Sequence, residues 1–270
     1  MPSDKNPVHP CCLTIAGSDS GGNAGVQADL RAFHAYGLHG CTVFAALTAQ
    51  NPSAVTAIHP VPADFVAAQL DAVLGVYSIR ALKTGMLADP RAIGVIADRL
   101  AAHPEIAKVI DPVMIATSGA KLVGETTVEA IVSRLIPLAT LITPNLPEAE
   151  ALAGGKGTAG DLAAELGGKF GCAVLVKGGH GSGGESVDVL WSGGELSEFS
   201  LPRIDNPVST HGTGCSLAAA LAAELALGRS VPEAVRGAKA YVHDAIERSC
   251  LVGPSCGVLG FAPRAEEAFA

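Results

Sequence analysis

At 270 residues, with 49% hydrophobic but only 4% aromatic side chains, the chain is long enough for one large core and rich in the Ala and Gly that let helices pack closely on a sheet. A formal net charge of −8 argues against sequence-independent nucleic-acid binding, which needs a positive field to meet phosphates. Seven cysteines, at 11, 12, 41, 172, 215, 250 and 256, are odd in number and lack paired C-x-x-C spacing, so neither a disulfide framework nor a zinc site is expected.

No apolar run is long enough to span a bilayer, and Met1 to Pro10 carries charges and prolines in place of an apolar signal core. The expectation is a soluble, cytoplasmic protein with small-molecule partners. Residues 1–10 read as an N-terminal extension and 11–270 as a single domain, since no linker of Pro, Ser or charge divides the chain.

In chain order, short apolar runs predict buried strands at Cys11 to Ala16, Cys41 to Ala46, Ile79 to Leu82, Lys108 to Ile110, Leu141 to Thr143 and Ala173 to Val176. Between them, helical periodicity covers Val26 to Tyr36, Asp64 to Leu74, Pro90 to Ala102, Thr126 to Leu135 and Ala159 to Phe170. Strands alternating with helices imply βαβ units, hence an α/β fold with a mainly parallel sheet covered on both faces. Ser186 to Trp191 and Leu196 to Leu201, joined by Ser192-Gly193-Gly194-Glu195, read as a hairpin forming an antiparallel edge. Helices follow at Thr213 to Leu227 and Pro232 to Arg248. The tail from Ser249 is Gly/Pro-rich with a weak final helix.

In folds of this kind ligands sit beyond the carboxyl ends of the strands, so the loops there matter most. Gly17-Ser18-Asp19-Ser20-Gly21-Gly22-Asn23-Ala24-Gly25 follows the first strand and opens a helix. Asp111-Pro112-Val113-Met114, Thr143-Pro144-Asn145-Leu146-Pro147-Glu148 and Lys177-Gly178-Gly179-His180 follow later strands. The run Thr210-His211-Gly212-Thr213-Gly214-Cys215 starts an Ala-rich helix, where free N–H groups and the helix dipole attract an anion and favour ionisation of a thiol. That pattern suits a phosphoryl cradle with a proton acceptor at its lip, although a lone cysteine at a helix start can equally be an inert packing residue.

Other spacings keep two readings open. Asn145 and Glu148 lie three apart at a helix start, which fits hard oxygen ligands for Mg²⁺ with Asp111 nearby, and fits a capping box as well. Lys177 at a strand end could meet a phosphate or simply be solvated. Gly179 to Gly184 satisfies G-x-G-x-x-G, yet a strand pattern follows it where dinucleotide binding needs a helix.

Seven blocks in order carry a resemblance: Gly17 to Leu30, Ala46-Leu47-Thr48-Ala49-Gln50-Asn51, Lys83-Thr84-Gly85-Met86-Leu87, Asp111 to Met114, Thr143 to Glu150, Lys177 to His180, and Thr210 to Cys215. Over about residues 11 to 250 the chain closely resembles the hydroxymethylpyrimidine/phosphomethylpyrimidine kinases of thiamine biosynthesis, in the ribokinase superfamily. The resemblance implies a three-layer α/β/α ribokinase-like fold, usually dimeric. It implies a pyrimidine pocket lined by Ala24, Asp29, Thr48, Gln50, Met86 and Val113. It implies an anion hole of Gly212, Thr213, Gly214 and Cys215, with the cysteine as base. Lys177 and Asn145 would serve the ATP phosphates, and Asp111 and Glu148 would serve Mg²⁺. Asn23, Thr84 and Ser209 depart from the usual pattern.

The reaction so implied is Mg·ATP-dependent phosphorylation of 4-amino-5-hydroxymethyl-2-methylpyrimidine, and then of its monophosphate to the diphosphate. The alternatives are a pyridoxal-type kinase of the same superfamily and a non-catalytic vitamer-binding protein on this fold. Cys215, where an Asp is usual in the superfamily at large, and Gln50 tilt the reading toward the pyrimidine.

Overall fold

The computed structural model of the protein describes residues 9–114, 124–179 and 183–261. Its strands are β1 (Cys11–Gly17), β2 (His39–Asn51), β3 (Ala54–Pro60), β4 (Ile79–Thr84), β5 (Ala107–Ile110), β6 (Leu141–Ile142), β7 (Ala173–Val176), β8 (Glu185–Ser192), β9 (Glu195–Pro202), β10 (Cys250–Gly253) and β11 (Cys256–Val258). Its α-helices are α1 (Gly25–Ala35), α2 (Ala63–Leu74), α3 (Pro90–Ala101), α4 (Glu125–Ala130), α5 (Leu146–Ala153), α6 (Ala159–Phe170), α7 (Thr213–Ala226) and α8 (Val231–Glu247). The helix expected through Leu135 does continue past α4, but as a wider π turn over Ile131–Leu135.

One nine-stranded sheet, ordered β3-β2-β1-β4-β5-β6-β7-β8-β9, forms the middle layer. The six strands from β2 to β7 in that order pair in parallel, and β8 and β9 form the expected antiparallel edge. Two strand pairings were not foreseen. β3 returns antiparallel along β2 through a turn in which the Asn51 side chain accepts from the N–H groups of Ser53 and Ala54, at 2.9 and 3.0 Å. The tail folds back as the β10–β11 hairpin, while its expected final helix falls mainly on residues outside the described ones.

Period-two alternation sends the strand side chains to two apolar layers. Leu13, Ile15, Val43, Leu82, Ile110, Ile142 and Val174 pack under Val66, Leu70, Ile93, Ile96, Leu100 and Leu166 of the helices on one face. On the other face Cys12, Ala81, Val109, Leu141 and Leu175 meet Phe33, Ala218 to Ala223 and Val235. Ten of the fourteen residues of α7 are buried, so it is a helix enclosed on nearly all sides, and its alanines let it lie close to the sheet. Its N-terminus therefore points at the carboxyl ends of the central strands.

One close contact sets a test of this packing. A Cβ on Gly167, in α6, would lie 2.1 to 2.6 Å from the indole carbons of Trp191 on β8. Alanine gains about 1 kcal/mol of helix propensity over glycine, but displacing a packed ring costs about 1 to 3 kcal/mol. Gly167→Ala should therefore be net destabilising in urea unfolding; a gain in stability would mean that the ring moves freely.

Candidate active site

The loop after β1 is organised by a side chain that the motif reading left without a role. Asp19 accepts from the N–H groups of Gly21, Asn23 and Ala24 at 2.8 to 2.9 Å, and its own N–H reaches Gln27 at 2.8 Å. Burial alone would push this carboxyl up, but His211 and the three N–H groups outweigh it and hold Asp19 below the usual carboxylate range. The loop is tied to its neighbours through Gly17 N–H to Met86 O at 3.1 Å and Ser18 N–H to Ala46 O at 2.9 Å. Ala24 and Met86 are thus brought to the mouth of β1.

Strand β2 supplies the opposite wall. It runs past the end of β1, and its last turns carry Thr48 and Gln50. The Thr48 hydroxyl lies 2.7 Å from the Ser18 carbonyl and 3.1 Å from the Gln50 amide, while the Gln50 backbone exchanges two 2.8 Å bonds with the Ser20 hydroxyl. The far end of the Gln50 amide is 3.5 Å from His211 Nε2. Gln50, expected to read a heteroaromatic edge, is therefore held at the seam between the glycine loop and the helix start at residue 213.

At that helix start Gly212 adopts φ +91°, and a Cβ there would fall 1.9 Å from the Asn23 carbonyl oxygen. Only glycine fits. The first helical bond of α7 is Ser216 N–H to Gly212 O at 2.9 Å, so the Gly214 and Cys215 N–H groups precede it, at the helix start where an anion cradle was expected. Cys215 is half-buried. The expectation that its thiol ionises readily is corrected: burial pushes it up, beyond what Lys83 and the Gly25 N–H recover.

Lys83 pairs with Asp29 beneath this corner. Both side chains of this ion pair are closed to water, the Lys83 ammonium lies 3.0 and 2.9 Å from the two Asp29 oxygens, and the Thr14 hydroxyl donates to the same carboxylate at 2.6 Å. Burial opposes the ammonium, but Asp29 outweighs it and lifts Lys83 well above the ordinary range. Asp29, expected to line the pocket, is thus closed to water in the free protein and held by Lys83 and Thr14. The signal for Lys83 was a charge directly after the buried run Ala81-Leu82, two residues on from Ala81 and therefore on the strand face that looks toward α7.

The remaining charges gather at the ends of β5, β6 and β7. Asp111 Oδ1 accepts from the Lys177 ammonium at 2.9 Å and the Thr143 hydroxyl at 3.0 Å. Val113 follows Asp111 in a tight turn, with its N–H on the Asp111 carbonyl at 2.8 Å. The Lys177 ammonium is 3.8 Å from where a Cβ on Gly214 would stand, so it borders the cradle. Asn145 and Glu148 do form a capping box, with two reciprocal 2.9 Å bonds. Glu148 is nonetheless buried, its other oxygen takes the Met114 N–H at 3.3 Å, and burial with Asp111 nearby pushes its carboxyl up against the pull of Lys177. Capping thus aims Glu148 at the charged cluster. The Asn145 side-chain oxygen is spent on the cap, and its NH₂ is not used by the cap. His180 lies outside the described residues.

Since Lys83 and Asp29 are buried together, removing one strands the other. Lys83→Met should cost about 3 to 5 kcal/mol in chemical unfolding, as breaking a buried pair does. The double change Lys83→Met with Asp29→Leu should recover most of that loss. Equal losses in both variants would mean that shape, not charge, is what the pair supplies.

The comparisons with known proteins agree with this geometry. The family model for phosphomethylpyrimidine kinase matches residues 19–260. The hydroxymethylpyrimidine/phosphomethylpyrimidine kinase of Rhizobium meliloti (strain 1021) is 48% identical over 240 residues, 87% of this chain and 89% of that one. The enzyme of the same name from Salmonella typhimurium is 43% identical over 88% of this chain and 91% of its own length. Among solved structures, phosphomethylpyrimidine kinase from Clostridium difficile 630 superposes with TM-score 0.76 at 38% identity, covering 87% of this chain and 99% of that one. The ADP complex of Bacillus subtilis pyridoxal kinase superposes with TM-score 0.86 at 33% identity, covering 94% and 98%. With the fold, the helix-start cradle and these matches in agreement, the chain belongs to the phosphomethylpyrimidine kinase family.

Proposed function

We propose that the protein transfers the γ-phosphoryl group of ATP first to the hydroxymethyl group of 4-amino-5-hydroxymethyl-2-methylpyrimidine and then to the resulting monophosphate. The observation that carries this reading is the cradle at the start of α7, where two N–H groups ahead of the first helical bond, the Lys177 ammonium and the Cys215 thiol share one corner, with Gln50 at its seam. Turnover of ATP with the pyrimidine alcohol, its phosphate, pyridoxal and ribose in parallel tests it, and the two pyrimidines should lead. Pyridoxal is the second reading, favoured by the closer superposition of pyridoxal kinases, and the same panel decides it.

Transfer of a phosphoryl group is mostly positioning and electrostatics. The Gly214 and Cys215 N–H groups and Lys177 stabilise the charge on the moving group, and Gln50 and Thr48 orient the ring so that its alcohol faces the cradle. Cys215 takes the proton that the alcohol loses as it attacks. The residues present fit Mg²⁺: among the described residues both bonds to Asp111 fall on Oδ1, leaving Oδ2, and each Glu148 oxygen keeps a second lone pair for a water of the ion. Bound there, the ion would neutralise phosphate charge.

We assign a homodimer and a cytoplasmic setting on two further grounds. Leu47, Ile58 and Phe65 are exposed apolar side chains on β2, β3 and α2, the kind of edge that a second copy covers. All seven cysteines are free thiols, and among the described residues no helix is long and apolar enough to cross a membrane.

The two steps make different demands on Cys215. An alcohol is protonated near neutral pH and needs a base, whereas the attacking oxygen of the monophosphate is already ionised. Cys215→Ala keeps the backbone amides, so single-turnover rates should fall about 10²-fold or more for the alcohol and clearly less for the monophosphate. Because burial holds the thiol up, the wild-type alcohol step should also quicken with rising pH, by up to about tenfold per unit, and the alanine variant should lose that slope. Equal losses in both steps would reduce Cys215 to a shaping role.

A further inference from the structure

Away from the pocket, Lys239 on α8 and Asp188 on β8 form a second buried ion pair, with the ammonium 2.7 Å from Asp188 Oδ2. Asp188 Oδ1 faces the other way and accepts the N–H of Gly178 at 2.8 Å. Gly178 directly follows Lys177. It is seated hard against β8, because a Cβ there would lie 1.7 Å from the Val187 carbonyl oxygen. Lys177 N–H is itself bound to Pro144 O at 2.9 Å. The backbone of Lys177 is thus fixed on both sides, by a strand-end carbonyl before it and by a charged acceptor after it.

We propose that the Lys239–Asp188 pair is a positioning device for Lys177, carrying a carboxylate on the neighbouring strand β8 to the Gly178 N–H that helps set where the Lys177 ammonium meets the phosphates of ATP. The inference rests on the reading that Lys177 binds those phosphates. A carboxylate accepts an N–H more strongly than a neutral group does, but burying it is costly without a counter-charge, and Lys239 supplies that. Packing alone would not require an ion pair whose second oxygen is spent on a backbone N–H beside a site residue. The sequence offers no motif for this, since Asp188 and Lys239 lie fifty-one positions apart.

The test separates positioning from stability. Lys239→Met leaves a buried carboxylate unpaired and should lower thermal stability as well as raise the KM for ATP. In the double variant Asp188→Asn with Lys239→Met no buried charge remains, so stability should return toward wild type. The KM for ATP should stay raised by about tenfold, the size of trading one charge-assisted bond for a neutral one. The KM for the pyrimidine should not follow it, and Lys239→Arg should restore both stability and the KM for ATP. Recovery of the ATP KM together with stability in the double variant, or a parallel rise in both KM values, would overturn the proposal. Lys177→Met is measured alongside. If it weakens ATP while the double variant does not, the clamp is wrong and the phosphate reading stands. If it leaves ATP unaffected, the phosphate reading falls and the clamp falls with it.

Discussion

The site hangs on one steric constraint, the contact between the Asn23 carbonyl and the place where Gly212 lacks a Cβ. It seats the glycine loop after β1 directly against the start of α7, the two segments on which the proposed pyrimidine pocket and phosphate cradle are built, with no side chain between them. The left-handed turn at Gly212 then releases the first N–H groups of α7 toward the sheet edge. Any larger residue at 212 would push the Asn23 carbonyl, and the loop that carries it, away from the start of α7.

Around that joint runs a line of buried charge: Asp29 and Lys83 below Cys215, then Asp111, Lys177 and Glu148 along the strand ends. Three carboxylates face two ammonium groups. Burial first, and the surplus of negative charge after it, push the Glu148 carboxyl and the Cys215 thiol up. Lys83 has no free path to substrate, yet it is the cation that pulls the thiol back down.

Much of this was legible in the sequence. The strands from β1 to β7 in the parallel sheet follow from short apolar runs, and α7 follows from its alanines, because burial on two faces leaves a composition signal. The β3 strand and the tail hairpin left none. Residues 54 to 60 are mostly exposed, so no apolar alternation marks them, and the turn before them depends on one Asn51 side chain. Blocks of motif placed Gln50, Lys177 and Cys215 correctly at one end of the sheet. Periodicity could not tell that Asp29 faces inward to Lys83 or that Asp19 caps its own loop, since ion pairs and loop caps are made between residues whose meeting the fold alone decides. Of the two readings of Asn145 and Glu148, the capping box is the one the structure displays, and it does not exclude the other. The cap is the means by which a buried carboxylate is aimed.

Strand β2 extends beyond its parallel neighbour and is paired there with β3 and pinned to the loop after β1 by the Ser18 and Ser20 bonds, so Gln50 stands on a hairpin that projects from the sheet like a cantilever. The phosphoryl machinery lies on other strands. If Gln50 reads the ring as proposed, the choice of ring and the transfer of phosphate would rest on different strands, so a change in the projecting hairpin could alter the one with the other left in place.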